Sequence, residues 1–316
     1  MASVVVTGGA GFIGSALVRY LLAHTSSEVA VLDNFYSGKP ENLAEIASRI
    51  DVRRTDIRNY DATKAALAGA AIVFHLAAIP SVPRSIEEPV PSHDVNINGT
   101  FNVFRAALEN GVRRVVYAAS SSAYGDTEVL PKVETMAPNP KSPYAAQKLM
   151  GEYYASVFYS CFGLETVCLR FFNVYGPRQH PSSPYSGVLS LFLKALVNRQ
   201  PPTIFGDGEQ SRDFTYVDDV AALCCRAANA ETSAGKVYNA GNGNRYTLNQ
   251  VWSLLQQIEG VDLPPRYGPP RPGDVRHSQA DTTRARTELG HSPQVSLEEG
   301  LRRTLGWFRS SAQVVD

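Results

Sequence analysis

Thr7-Gly8-Gly9-Ala10-Gly11-Phe12-Ile13-Gly14 is the stretch on which the fold turns. It continues the apolar run Val4-Val5-Val6 and fits GxGxxG at Gly9, Gly11 and Gly14, as well as GxxGxxG at Gly8, Gly11 and Gly14. Glycine suits these positions because the turn needs unusual dihedrals, a pyrophosphate must approach the backbone, and the next helix must pack closely on the strand. The free N–H groups that open that helix then face the anion. A plain tight turn would also use glycine, but here a strand precedes, a helix follows, and Asp33 ends a second strand nineteen residues after Gly14. A carboxylate at that point accepts hydrogen bonds from a ribose diol and repels a 2′-phosphate, so the spacing predicts NAD rather than NADP. Asn34 comes next and no arginine follows closely, with Lys39 the nearby cation. Asp56-Ile57 is placed to hold the adenine edge, although a turn aspartate explains it as cheaply.

Outward from this turn, apolar β-rich runs at 3–7, 28–33, 51–54, 71–75, 113–119 and 165–171 alternate with helical patterns near 12–24, 41–48, 61–69, 95–110 and 142–162. That alternation predicts a Rossmann-type α/β fold, a doubly wound parallel sheet whose central strands are covered on both faces. After Gly176 prolines and glycines cluster at 177–187, 201–208 and 264–273, between shorter helices near 187–197, 247–258, 281–288 and 296–309. Residues 213–241 still read as strand, helix, strand. The expected division is a cofactor-binding domain over 1–175, with 213–241 returning to it, and a smaller, discontinuous C-terminal substrate-binding domain from 176–212 and 242–316.

The composition narrows the function. Thirty basic side chains balance thirty acidic ones over 316 residues, which argues against a nucleic-acid binder. No apolar run is long enough to span a bilayer and the start carries no basic leader, so a cytoplasmic protein without membrane contact is expected. Cys161, Cys168, Cys224 and Cys225 lack CxxC spacing and the six histidines lack ligand spacing, so no bound metal is expected.

The fifth strand ends in Ser120-Ser121-Ser122-Ala123-Tyr124-Gly125, and such sheets bind ligands at the carboxyl ends of their strands. Further on, Ser142-Pro143-Tyr144-Ala145-Ala146-Gln147-Lys148 begins a helix, with Ser142 as N-cap and Pro143 in its first turn. Lys148 then shares a face with Tyr144. A free phenol titrates near 10, so a tyrosine base near neutrality needs its pKa lowered by about three units. Lys148, the helix N-terminus and an oxidised nicotinamide would all favour the phenolate. A serine hydroxyl holds the substrate oxygen, and the three groups form a proton relay for oxidising a secondary alcohol by hydride transfer. Tyr-x-x-x-Lys by itself is also the pattern of an exposed pair on a helix; its place after the glycine turn and 24 residues beyond Ser120 makes it specific.

With these residues in view, the chain resembles the extended short-chain dehydrogenase/reductase family and, within it, the nucleotide-sugar 4-epimerases. The resemblance runs through TGGAGFIG at 7–14, LDNFYSGKPEN at 32–42, HLAA at 75–78, NINGT at 96–100, AASSSAYG at 118–125, SPYAAQK at 142–148, RFFNVYGPRQ at 170–179, GDGEQSRDF at 206–214 and RPGDVRHSQAD at 271–281. It implies Ser120, Tyr144 and Lys148 as the catalytic set, with Ser121 and Ser122 as further substrate contacts. For NAD it implies Gly8, Gly11, Phe12, Ile13, Gly14, Asp33, Asn34, Ser37, Gly38, Asp56, Ile57, Leu76, Ala77, Ala78, Asn96, Tyr144, Lys148 and Phe171. Asn173, Arg212 and Arg271 match positions that bind the sugar nucleotide's diphosphate, which suits arginine's planar fork. Asp274 matches a ribose contact, Arg84 a sugar contact or a helix entry, and Ser278 a gate whose small size leaves room for an N-acetyl group.

The expected activity is therefore NAD-dependent 4-epimerisation of a UDP-hexose through a 4-keto intermediate, in the glucose and N-acetylglucosamine series, by a homodimer. The rivals are a UDP-glucuronate 4-epimerase, another nucleotide-sugar dehydratase or oxidoreductase, and a silent NAD-binding sensor. Dehydratases of this family resemble a pattern with an acidic pair where this chain has Ser121-Ser122.

Overall fold

The computed structural model describes residues 3–179, 187–270 and 275–312. Six strands come from the first 171 residues: β1 (Ser3–Thr7), β2 (Glu28–Asp33), β3 (Asp51–Arg54), β4 (Ile72–His75), β5 (Arg114–Ser120) and β6 (Glu165–Phe171). Short strands follow: β7 (Asn173–Tyr175), β8 (Thr203–Phe205), β9 (Ser211–Arg212) and β10 (Phe214–Tyr216), then β11 (Lys236–Ala240), β12 (Tyr246–Thr247) and β13 (Arg266–Gly268). The main sheet is wholly parallel, in the order β11-β6-β5-β4-β1-β2-β3. This is a doubly wound Rossmann-type sheet. The order reverses between β1 and β4, which opens a crevice at the carboxyl ends of the strands.

Alternate residues of each strand face opposite sides, and both sides are buried. Val4, Val6, Val29, Val31 and Leu169 pack with the helices Phe12–His24 and Val217–Asn229. Val5, Ala30, Leu32, Val73, Val115 and Tyr117 pack with Thr100–Glu109 and Pro143–Phe162. Continuous burial explains why these strands read as unbroken apolar runs.

Two helical expectations change in kind. The stretch expected as a helix near 41–48 forms two 3-10 turns, Pro40–Asn42 and Ala44–Arg49. Leu43 and Ile46 are buried three residues apart, the spacing that 3-10 geometry eclipses onto one side. The helix expected near 95–110 begins as a π-helical turn, Asp94–Gly99, before the α-helix Thr100–Glu109. Gly99 lies against Ile57 there: an added Cβ would sit 2.7 Å from the isoleucine side chain.

A third core lies in the second lobe, where the helices Val188–Val197, Leu248–Glu259 and Leu297–Ala312 pack around Phe192, Phe214, Trp252 and Leu301. Three two-stranded pairings, β7 with β10, β9 with β12 and β8 with β13, tie this lobe together. Among the described residues no helix is long and apolar enough to cross a membrane.

Candidate active site

The glycine turn is tight on one side and open on the other. A Cβ at Gly14 would lie 2.1 Å from the Gly8 carbonyl, and one at Gly8 would lie 2.8 Å from the backbone of Ala77. At Gly11 the one neighbour within 4 Å, among the described residues, would be Gly8 O at 3.1 Å, which leaves room for a ligand to approach the backbone. Gly11 is extended and precedes the helix Phe12–His24 without a side-chain cap, so Phe12 and Ile13 begin that helix with its opening N–H groups uncapped by Gly11. These features fit a dinucleotide pyrophosphate.

Asp33 stands at the tip of β2, 6% exposed. Its Oδ2 accepts the Ala10 amide at 2.9 Å and its Oδ1 the Phe35 amide at 2.8 Å. Burial pushes its pKa up while the two amides pull it down. Each oxygen retains a second lone pair for a ribose hydroxyl. Gly38 closes over the same carboxylate, since a Cβ there would fall 2.9 Å from Oδ2, and Ser37 precedes it in the loop. Asn34 donates to Asp56 Oδ2 at 3.0 Å, and the Arg58 guanidinium grips the same carboxylate and lowers its pKa to about 2. Ile57 turns into the core, against Gly99.

Leu76, Ala77 and Ala78 leave β4 beside the glycine turn. The Ala77 amide donates to Thr7 Oγ1 at 3.2 Å, and the neutral ring of His75 bridges the Thr7 and Thr100 hydroxyls at 2.8 and 3.0 Å. His75 has no exposed surface, and burial, aided by the nearby Lys148 charge, lowers its pKa to about 3. Asn96 lies on the π-helical turn and spends its side chain within the protein: it accepts from the Ile79 amide and donates to Ile79 O and Gln147 Oε1. It braces the loop after β4 against the helix Pro143–Phe162 instead of offering that amide outward. Phe171 ends β6 opposite Ser120, half-buried.

The expected catalytic set converges at the ends of β5 and the helix Pro143–Phe162. Ser142 caps that helix by accepting the Ala145 amide at 3.2 Å, and Pro143 occupies its first turn. The Tyr144 amide is held by Ser85 Oγ at 3.0 Å. Ser120 Oγ accepts from Ser122 twice, from its amide at 3.2 Å and its hydroxyl at 2.8 Å, which leaves the Ser120 proton to donate outward. Burial raises the Tyr144 phenol and Ser120 opposes that rise. The pull toward phenolate expected from the sequence thus has to outweigh a burial cost that the sequence did not reveal. Lys148 is 4% exposed, its pKa lowered to about 8 by burial, and its ammonium lies 4.7 Å from the centroid of the Tyr117 ring.

In the second lobe, Asn173 Nδ2 donates to Asp213 O at 3.4 Å and the Ser278 amide donates to Ser211 O at 3.0 Å, which brings Asn173, Arg212 and Ser278 to one region. Arg212 donates to the carbonyls of Ser211 and Arg276. Arg271 and Asp274 lie outside the described residues. Arg84 is engaged by Glu88 at 2.9 Å and by the Tyr36 hydroxyl, with its guanidinium 4.9 Å from that ring's centroid, so it ties the helix Val82–Glu87 to the loop after β2 rather than standing free for a sugar.

Sequence reasoning passed over Asp213. Its fully buried carboxylate accepts the amides of Asn242, Gly243 and Ala280, pinning the turn between β9 and β10 to the loop after β11 and to the segment that follows Ser278. Its place beside Arg212 was the available hint; its partners are distant in sequence. Among the described residues no group of three His, Cys, Asp or Glu side chains is arranged to hold a metal ion.

Residues 4–241 match the model of the NAD dependent epimerase/dehydratase family. A UDP-glucose 4-epimerase of Mycolicibacterium smegmatis is 40% identical over 312 residues, spanning 98% of this chain and 99% of the relative. A UDP-N-acetylglucosamine 4-epimerase from Methanobrevibacter ruminantium, solved with UDP-N-acetylmuramic acid, superposes with a TM-score of 0.94 at 38% identity, over 98% of this chain and 99% of that one. The UDP-glucose 4-epimerase of Thermotoga maritima with UDP-glucose gives 0.93 at 39%, with the same coverage.

Proposed function

The chain belongs to the NAD dependent epimerase/dehydratase family, and from that premise we propose that it is a UDP-hexose 4-epimerase acting on UDP-glucose and UDP-galactose and on their N-acetylated counterparts. It is an NAD-dependent isomerase. The observation that carries the reading is the convergence of Ser120, Tyr144 and Lys148 at the carboxyl ends of the strands, beside the open glycine turn and Asp33.

The glycine turn and Asp33 would hold NAD, which when bound would take and give back hydride at carbon 4 of the sugar. Tyr144 takes the proton of the 4-hydroxyl, with Lys148 favouring the phenolate. Ser120, its oxygen already accepting from Ser122, donates its proton to the sugar oxygen. After the 4-keto sugar turns over in the pocket, Tyr144 would return the proton to the 4-oxygen while hydride is given back to the opposite face of carbon 4. Elimination would need a carboxylic acid beside Ser120, and there the chain has Ser121 and Ser122, so epimerisation is favoured over dehydration.

Arg212, Asn173 and Arg271 are assigned to the diphosphate and Asp274 to the ribose. Ser278, small and near Arg212, is assigned the gate that admits an N-acetyl group. Phe101, Met150, Tyr153 and Val157 expose an apolar strip on two adjacent helices, which supports a homodimer formed by pairing that strip with its copy. The decisive experiment is incubation of the purified protein with UDP-glucose, UDP-N-acetylglucosamine and UDP-glucuronate, followed by chromatography of the products. Turnover of the first two supports the assignment; turnover of the third alone transfers it to the glucuronate series.

A further inference from the structure

We propose that Tyr117 is a positioning residue for Lys148: the face of its ring holds the lysine ammonium, while its hydroxyl fixes the segment of helix from which that lysine projects. The inference rests on the assignment of Lys148 to the active site and adds a residue to it. Tyr117 sits in β5 three positions before Ser120, with no exposed surface, and its sequence context reads as an ordinary core strand.

Two sets of contacts define its role. The Lys148 ammonium lies 4.7 Å from the ring centroid, within the range of a cation–π interaction, and no hydrogen-bond acceptor for it is found among the described residues. The Tyr117 hydroxyl donates to the Lys148 carbonyl at 3.4 Å and fills the space over Gly151, where a Cβ would lie 2.2 Å from the phenol oxygen. Thr100 sits close enough to pull the phenol's pKa down, and Thr100 is itself bridged through His75 to Thr7 at the glycine turn. A continuous buried chain of side chains therefore runs from the cofactor turn to the catalytic lysine.

The charges around Lys148 leave the ring a distinct part. On its own helix stand Tyr144 and Glu152; β6 supplies Cys168 and Arg170, and β4 supplies His75. Burial raises the Tyr117 and Tyr144 phenols and the Cys168 thiol above their ordinary values, which disfavours their charged forms, and His75 is neutral. Glu152 and Arg170 bind each other bidentately at 2.9 and 2.7 Å, each 4% exposed, and Glu152 still pulls the Lys148 pKa up against its burial. At 4.7 Å from the ammonium, the quadrupole of the Tyr117 ring adds to Glu152 in offsetting that burial.

The test compares Tyr117→Leu, which removes the ring, with Tyr117→Phe, which keeps it and removes the hydroxyl. The readout is the titration of Lys148 itself, followed by NMR in protein carrying carbon-13 at the lysine ε position, with the resonance assigned from Lys148→Arg. Tyr117→Leu is expected to lower the Lys148 pKa by about one unit, and Tyr117→Phe to restore it to the wild-type position. The alkaline limb of kcat/KM should move the same way, because activity needs the lysine protonated. An unchanged titration in Tyr117→Leu, or an equal fall in Tyr117→Phe, overturns the proposal. If the leucine variant does not fold, Tyr117→Met takes its place. Because the lysine titration is read without turnover, a protein inactive on every UDP-sugar would count against the proposed activity while leaving the role of Tyr117 still open to this measurement.

Discussion

The Ala10 amide and the Asp33 carboxylate, 23 residues apart, are joined by a 2.9 Å hydrogen bond that fixes the glycine turn against the tip of β2. Replacing Asp33 by alanine removes both that bond and the predicted ribose acceptor. Charge-assisted hydrogen bonds of this kind justify an expected weakening of NAD binding by about tenfold to a hundredfold. Titration calorimetry of the cofactor-free protein measures it, and an unchanged affinity would remove Asp33 from the cofactor site.

Tyr144→Phe deletes one oxygen without disturbing the Ser85 bond to the backbone amide. Turnover should fall by about a hundredfold to ten-thousandfold, the range of general acid–base catalysis, while bound NAD stays at the wild-type level. Near-normal turnover sinks the catalytic assignment, and chromatography of released NAD separates that outcome from a lost cofactor.

Ser278→Tyr is the test of the sugar gate. The ratio of kcat/KM for UDP-N-acetylglucosamine to that for UDP-glucose should drop by about tenfold or more, because bulk at this position excludes the larger substituent. Equal losses on both substrates would mean that Ser278 does not select between them.

His75 gives the fold an acid-sensitive element. Its pKa falls from an ordinary 6.5 to about 3 because the ring is fully buried. Between those values the unfolded chain binds a proton that the folded chain refuses, so stability is present above pH 6.5 and is lost as pH falls. At pH 5 the loss relative to pH 7 amounts to about 2 kcal/mol. Urea midpoints should fall over that interval in the wild type and fall less in His75→Asn; parallel pH dependence in the two proteins would refute the assignment.

Val157→Glu puts a charge into the centre of the exposed apolar strip on the helix Pro143–Phe162. Light scattering should find a dimer for the parent and a monomer for the variant, since a symmetric contact would bury two unpaired carboxylates facing each other. A parent that is monomeric at all concentrations removes the dimer from the proposal.

Local chemistry was readable from the chain, and distant pairing was not. Ser142, Pro143 and the Tyr144-to-Lys148 spacing announce a capped helix because each signal lies within one turn. The strand runs were readable because parallel strands buried on both sides are apolar throughout. The π-helical turn at Asp94–Gly99 left no such mark, since its purpose is met elsewhere: it delivers Asn96 to Gln147, 51 residues away. Asp213 looked like a neighbour of an arginine, yet its meaning comes from amides at 242, 243 and 280. Tyr117 looked like core because it is core; its second task appears only when the helix bearing Lys148 is laid over it. Arg84 looked available for a sugar, and Tyr36, 48 residues earlier, engages it first.

The sheet's outermost strand beside β6, β11, comes from residues 236–240, after the chain has already left to build part of the other lobe. During synthesis the main sheet therefore cannot be completed when the first 175 residues have emerged. Until Ala240 clears the ribosome, β6 waits with a bare edge of unpaired amides and carbonyls, open to pairing with another chain. Any truncation between the end of β6 and Ala240 would make that transient exposure permanent, and the resulting fragment should aggregate rather than survive as a small NAD-binding module.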